Sequence, residues 1–154
     1  WKANKWSLET MWIMIDITIN KDMSNLILYI LLEELKLRGK ILNNLKVLFI
    51  GIAYKKNVDY IRESPSVKLI NVFDENKVIY SYHDPYIENF KFNFSNKGLQ
   101  KSIELNAKNI SNYDLVVIST DHDNIDYQLI YENAKLRLDT RGKYSSNDKK
   151  IINA

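Results

Sequence analysis

The chain has 154 residues, enough for one domain with a real core plus a helical extension but not comfortably for two complete domains. Its 45% hydrophobic and 27% charged residues are ordinary globular usage, and a net charge of +3 from 22 basic and 19 acidic side chains is too weak and mixed for a nucleic-acid footprint. Zero cysteines exclude disulfides, Cys-ligated zinc and a cysteine nucleophile within these residues.

The composition therefore suits a small anionic ligand better than a polyanion. It also fits a reducing, cytoplasmic setting. Apolar runs such as Leu26 to Leu32 are broken by charges before the roughly 20 apolar residues of a membrane span, so no membrane partner is expected. The opening Trp1-Lys2-Ala3-Asn4-Lys5 has no signal-peptide pattern and no Met, and the chain is expected to begin within something longer.

From Leu8 to Leu42 there is no Pro, Gly39 is the only Gly, and Met23, Leu26, Ile27, Ile30, Leu31 and Leu35 recur at helical spacing. This predicts one long amphipathic helix, or two broken near Asn20, ending at Arg38-Gly39-Lys40, where Gly can take positive φ. The period then changes. Val47-Leu48-Phe49-Ile50-Gly51-Ile52 is an unbroken apolar run, as in a strand buried on both faces. Ser64 as N-cap and Pro65 at the first helical position open a helix to Phe73.

Lys77 to Tyr82 and Leu115 to Ser119 read as further strands, with Leu136 to Asp139 a weaker fourth; helices are expected at Asn106 to Asn112 and Tyr127 to Asn133. Phe90 to Leu99 reads as a variable surface loop. The alternation predicts an α/β fold, an open parallel Rossmann-like sheet with helices on both faces, preceded by a long α-helical connector. The expected division is a connector over 1–43 and an α/β domain over 44–154.

Ligands of such sheets bind at the carboxyl ends of the strands, so functional residues should follow Ile50, Tyr82, Ser119 and Leu138. Lys55 and Lys56 follow the first strand, and Arg62 precedes a helix start with free N–H groups; the combination suits an anionic ligand, against the alternative of a solvated basic loop. Only Gly51 stands where a G-x-G-x-x-G fingerprint is needed, so this is not the expected NAD-binding half. Asp121, His122 and Asp123, adjacent in an extended loop, cannot easily converge on one ion, and no metal site is expected. His83 and His122 read as loop or packing residues.

Gly51-Ile52-Ala53-Tyr54-Lys55-Lys56-Asn57-Val58-Asp59, followed by Arg62-Glu63-Ser64-Pro65-Ser66, resembles the signature opening the C-terminal domain of UDP-glucose/GDP-mannose dehydrogenases. Tyr82-His83-Asp84-Pro85, Thr120-Asp121-His122-Asp123, Asp126-Tyr127 and Asp139-Thr140-Arg141-Gly142-Lys143-Tyr144 resemble its later strand ends, and their Thr-Asp-His and Thr-Arg-Gly-Lys-Tyr forms are similar to bacterial-type UDP-N-acetylglucosamine 6-dehydrogenases. The resemblance covers residues 45–154. Trp1-Lys2-Ala3 is similar to the segment after the family's catalytic cysteine, and Asn20 with Met23 to the long central helix that joins its two domains and forms its dimer interface.

That resemblance implies the UDP-sugar-binding part of an enzyme that oxidises the sugar's C6 alcohol to a uronic acid for polysaccharide biosynthesis, with NAD taking hydride and a cysteine holding the aldehyde. It implies that Tyr54, Lys55 and Arg141 contact the UDP-sugar and that Arg62 reaches toward NAD, which is bound mainly by an absent N-terminal domain. With neither that domain nor a Cys, activity alone is not expected, and no residue here is assigned to catalysis. The implied partners are a second copy through the long helix and a separate N-terminal NAD-binding chain. The alternative is a non-catalytic remnant serving as a dimerisation or interaction module. The sequence departs from the family at Tyr60, where an acidic residue is usual, and at Met14, Ile17 and Thr18 in place of Glu, Gly and Glu.

Overall fold

The computed structural model describes residues 23–94, 98–144 and 148–154. The expectations for Trp1 to Ala3, Met14, Ile17, Thr18 and the break near Asn20 lie outside those residues. Helix α1 covers 23–37 of the described chain. Its buried Ile27, Leu31 and Leu35 repeat at i, i+4 and join the core cluster of Phe49, Leu69, Ile70 and Phe73. Each buried side chain contributes about 1.5–3 kcal/mol. The helix ends as its sequence predicts: Gly39 has φ +64°, the Lys40 N–H donates to the Leu35 carbonyl (2.9 Å) and the Gly39 N–H to the Lys36 carbonyl (3.0 Å).

A 3₁₀ turn at Leu42–Asn44 leads into β1 (Lys46–Ile50), α2 (Pro65–Glu75), β2 (Ile79–His83), β3 (Asn89–Lys91), β4 (Leu99–Lys101), α3 (Ala107–Ser111), β5 (Leu115–Ile118), α4 (Tyr127–Asn133), β6 (Arg137–Asp139) and β7 (Ile151–Asn153). Five strands form one parallel sheet in the order β2-β1-β5-β6-β7. Side chains alternate across it. Val47 and Phe49 face α1 and α2, whereas Leu48, Ile50 and Val116 pack with Ile110 of α3 and Ile130 of α4. Both faces are covered, which is why β1 and β5 read as unbroken apolar runs.

Three expectations need correction. The second strand starts later than Lys77, which sits at φ +58° in the turn after α2, and extends to His83, which pairs with Ile50. Phe90 to Leu99 is not simply a surface loop: its ends belong to an antiparallel β3–β4 hairpin, and Phe92 is fully buried, edge-on to Tyr80 (5.9 Å) and Tyr82 (6.1 Å). A fifth strand, β7, pairs with β6. All helical expectations from Ser64 onward agree within a few residues, with Ser64, Asn106 and Asp126 each capping through its side chain.

The chain leaves β1 toward β2 on one side, while β5 continues to β6 on the other. The carboxyl ends of β1 and β5 therefore form the switch point, where an open α/β sheet offers a crevice.

Candidate functional site

Hydroxyls and one carboxylate fix the floor of that crevice. Gly51 follows β1 with φ +75°, and a Cβ there would lie 2.2 Å from the Thr120 carbonyl oxygen. Ser119 Oγ donates to the Gly51 carbonyl (2.8 Å), and Thr120 Oγ1 donates to the Ala53 carbonyl (2.7 Å) while sharing a 3.0 Å hydrogen bond with Ser66 Oγ. Asp84, buried at the end of β2, accepts from the N–H groups of Ile52 (2.7 Å), Ala53 (3.0 Å), Tyr86 (2.9 Å) and Ile87 (3.2 Å), and meets His122 Nε2 at 3.2 Å. Burial pushes its pKa up, but the hydrogen bonds from His122, Ile52 and Tyr86 outweigh that and hold the carboxyl below its ordinary range.

On this floor stands the loop from Tyr54 to Tyr60, closed by the Tyr54 N–H donating to the Tyr60 carbonyl (2.7 Å). The Tyr54 and Tyr60 rings meet edge to face at 6.1 Å. At the far end, Asn57 takes φ +60°; its backbone N–H donates to His122 Nδ1 (2.9 Å), its side-chain Nδ2 donates to the Asp123 carboxylate (2.6 Å), and its side-chain Oδ1 accepts from the Asp123 N–H (2.9 Å). Lys56 pairs with Asp123 at 2.6 Å, and Lys143 with Asp121 at 3.3 Å.

These pairings leave two cations over. Tyr54, Lys55 and Arg141, named from sequence, line one open cavity of about 370 Å³ together with Lys56, Thr120 and Asp121. Arg141 is aimed by its Nε, which donates to the Ser119 carbonyl (2.6 Å), and by its N–H on the buried Asp139 carboxylate (2.9 Å). Lys55 Nζ lies 5.5 Å from the Tyr54 ring centroid. Neither the Lys55 ammonium nor the Arg141 guanidinium is ion-paired with a carboxylate among the described residues; the Asp139 contact is to the Arg141 backbone N–H. Such an arrangement can attract and orient an anion by charge and N–H donors.

Arg62 does not line this cavity. It is exposed in the turn before α2, where the Ser64 N–H donates to the Ile61 carbonyl (3.0 Å), and no described carboxylate pairs with it. Among the described residues Arg62 forms no ion pair with its sequence neighbours Asp59 and Glu63. For a dinucleotide this chain offers little else: Thr120 fills the space beside Gly51 that a fingerprint glycine would leave for a pyrophosphate. The described residues around Gly51 do not form a dinucleotide cradle.

His83 Nδ1 bonds the Ile103 carbonyl (2.8 Å), and His122 lies buried between Asp84 and Asn57. Sequence reasoning did not find the Asp84–His122–Asn57 connection, because its members are distant in the chain and each is unremarkable locally. A second cavity, about 280 Å³, adjoins the first and shares Arg141, with Ser66, Ser119 and Thr140 on its wall. A larger one, about 720 Å³, lies away from the strand ends between α1 and α2. Among the described residues no group of His, Asp and Glu is placed to hold a metal, and no helix is long and apolar enough to cross a membrane.

Residues 48–146 match the sequence profile of the UDP-glucose/GDP-mannose dehydrogenase family, UDP binding domain. A UDP-N-acetyl-D-mannosamine dehydrogenase of Methanococcus maripaludis is 32% identical over 105 residues, 68% of this chain and 22% of that protein. The chain thus spans about a fifth of the length of the curated relatives it matches. The fold is similar to that of a UDP-D-ManNAc dehydrogenase from Pyrococcus horikoshii, with TM-score 0.68 and 22% identity over 88% of this chain and 31% of that one. It is also similar to a UDP-glucose dehydrogenase from Pyrobaculum islandicum, with TM-score 0.61 and 21% identity over 89% of this chain and 30% of that one.

Proposed function

The chain belongs to the UDP-glucose/GDP-mannose dehydrogenase family and contains its UDP binding domain, and we propose that it binds a UDP-N-acetylhexosamine as the substrate side of an NAD-dependent 6-dehydrogenase. The observation that carries this reading is the convergence of Lys55 and Arg141, two cations without carboxylate partners among the described residues, on one cavity with Tyr54 at the switch point. A diphosphate supplies the charge these groups lack. The matched relatives' names favour the N-acetylmannosamine epimer over the N-acetylglucosamine epimer suggested by the Thr120-Asp121-His122 and Thr140-Arg141-Gly142-Lys143-Tyr144 motifs.

In this proposal NAD, when bound, accepts hydride from C6. This chain's own contribution is to hold the nucleotide and to present Arg62, from outside the substrate cavity, toward the cofactor. The cysteine and the NAD cradle come from elsewhere, in the same longer polypeptide or in a separate N-terminal chain; this chain holds no cysteine. We retain residues 1–43 as connector and dimerisation segment and 44–154 as binding domain, although the inner face of α1 shares the domain core. Support for a homodimer through α1 comes from Met23, Leu26, Tyr29 and Leu32, exposed at i, i+3 spacing. A cytoplasmic location is part of the same proposal.

Calorimetric titration of UDP-N-acetylmannosamine, UDP-N-acetylglucosamine and UDP-glucose into the chain tests the reading. Binding of at least one acetamido sugar nucleotide, abolished by Lys55→Glu, is expected. The second reading, a non-binding interaction module, draws on the exposed α1 face and predicts no heat from any of them with dimerisation intact.

A further inference from the structure

His122 is fully buried, and both of its ring nitrogens are committed. A backbone N–H can only donate, so the Asn57 N–H at 2.9 Å requires a lone pair on Nδ1. The ring proton must then sit on Nε2, which faces the Asp84 carboxylate at 3.2 Å and donates to it. Tyr86 packs on the ring at 5.0 Å, and the Tyr127 hydroxyl donates to the His122 carbonyl (3.1 Å), so neither ring nor backbone is free to turn away.

We propose that His122 is a positioning residue for the binding loop: as the neutral Nε2–H tautomer it transmits the fixed Asp84 carboxylate to the Asn57 N–H and so sets the conformation of Tyr54 to Tyr60. Asn57 is where the loop needs such help. Its φ of +60° lies in the left-handed region, which a residue with a side chain adopts uncommonly and asparagine more readily than most, so the hydrogen bonds at Asn57 select this conformation from those open to it. Asp84 is an anchor because its carboxylate already gathers four backbone N–H groups from the segments that follow β1 and β2. The ring thus joins the ends of β1, β2 and β5 at the place from which Lys55 projects. The effect on ligand rests on the binding reading above; the effect on the loop does not.

Two variants of the full chain separate the ring's roles. His122→Asn keeps an acceptor near the position of Nδ1, and His122→Gln keeps a donor near the position of Nε2. In His122→Gln, the Asn57 amide is expected to exchange with deuterium about tenfold faster and UDP affinity to fall about tenfold. In His122→Asn, which keeps an acceptor for Asn57 but loses the Nε2–H contact to Asp84, both are expected to change by a smaller amount, about threefold. A folded His122→Gln with parental exchange at Asn57, or equal losses in both variants, overturns the proposal in favour of simple packing. Nitrogen NMR of the imidazole in the unsubstituted chain decides independently of variant folding: a proton on Nε2 and a bare Nδ1 support it, and a proton on Nδ1 sinks it. If the unsubstituted chain binds no UDP, the binding reading fails, while the exchange rates and the tautomer still judge the loop claim.

Discussion

Gly51 and Thr120 touch so closely that the fold admits no side chain between them: a Cβ on Gly51 would lie 2.2 Å from the Thr120 carbonyl oxygen and 2.7 Å from its Cβ. The contact joins the carboxyl ends of β1 and β5, and everything that lines the cavity hangs from it. Gly51→Ala is expected to destabilise the chain by about 3 kcal/mol or more, since it adds a backbone clash to the cost of φ +75°. Gly142→Ala has similar φ, +66°, but nothing within 4 Å, so about 1 kcal/mol is expected. Urea unfolding of the two variants measures the difference, and equal losses would mean that the backbone angle alone matters.

The Asp84 carboxyl, held below its ordinary value of 3.8, links stability to pH. Because the folded state releases this proton more readily than the unfolded one, its contribution is fully present above the unfolded pKa and is lost as pH falls through the lower folded value. Asp84→Asn puts an amide donor among backbone donors, and about 2–4 kcal/mol of destabilisation is expected at neutral pH. Denaturant unfolding at pH 7 and pH 3 should show a flatter acid dependence in the variant. An unchanged acid dependence would remove Asp84 from the account.

Lys55 and Lys56 are neighbours with different duties. Lys56 is already paired with Asp123, whose hydrogen bond raises its pKa, whereas Lys55 faces the cavity without a described carboxylate. UDP affinity measured by calorimetry is expected to fall about ten- to a hundredfold in Lys55→Ala, the worth of a charged hydrogen bond, and by less than about threefold in Lys56→Ala. The reverse order would place the anion elsewhere on the loop.

Arg137 is a buried structural cation in β6, lying against the rings of Tyr131 (4.5 Å) and Tyr144 (5.8 Å), which also touch each other, and bonded through Nη2 to Asp148 (2.7 Å) and through Nη1 to the Tyr131 carbonyl. A lysine cannot reproduce a planar group that stacks and donates in two directions, so Arg137→Lys is expected to cost about 2 kcal/mol in urea unfolding. A loss indistinguishable from zero would show that charge alone suffices.

The sequence is legible where its message is local. Gly39 ends α1 because its positive φ lets its own N–H reach the Lys36 carbonyl and the Lys40 N–H reach the Leu35 carbonyl, and Ser64 with Pro65 starts α2. The apolar runs of β1 and β5 announce central strands. By contrast, Ile151 and Ile152 are two apolar residues after a polar stretch, and only pairing with Leu138 and its neighbours makes them β7. Phe92 sits in an Asn- and Lys-rich segment that looks like a surface loop until Tyr80 and Tyr82 bury it. In the site, the strand ends locate the loops in the sequence and the family resemblance singles out Tyr54, Lys55 and Arg141 within them, but the network holding those loops runs through Asp84, His122, Asn57 and Thr120 at long sequence separation. No local pattern encodes those pairs.

The central claim is that the nucleotide lies over the β1 and β5 ends. Backbone NMR of the full chain during a UDP titration tests it most directly. The account predicts saturable shifts concentrated at Tyr54, Lys55, Thr120 and Arg141, which line the 370 Å³ cavity. Shifts concentrated instead at Val67, Asn71 and Phe94 beside α1, or none in a folded chain at millimolar UDP, would contradict it.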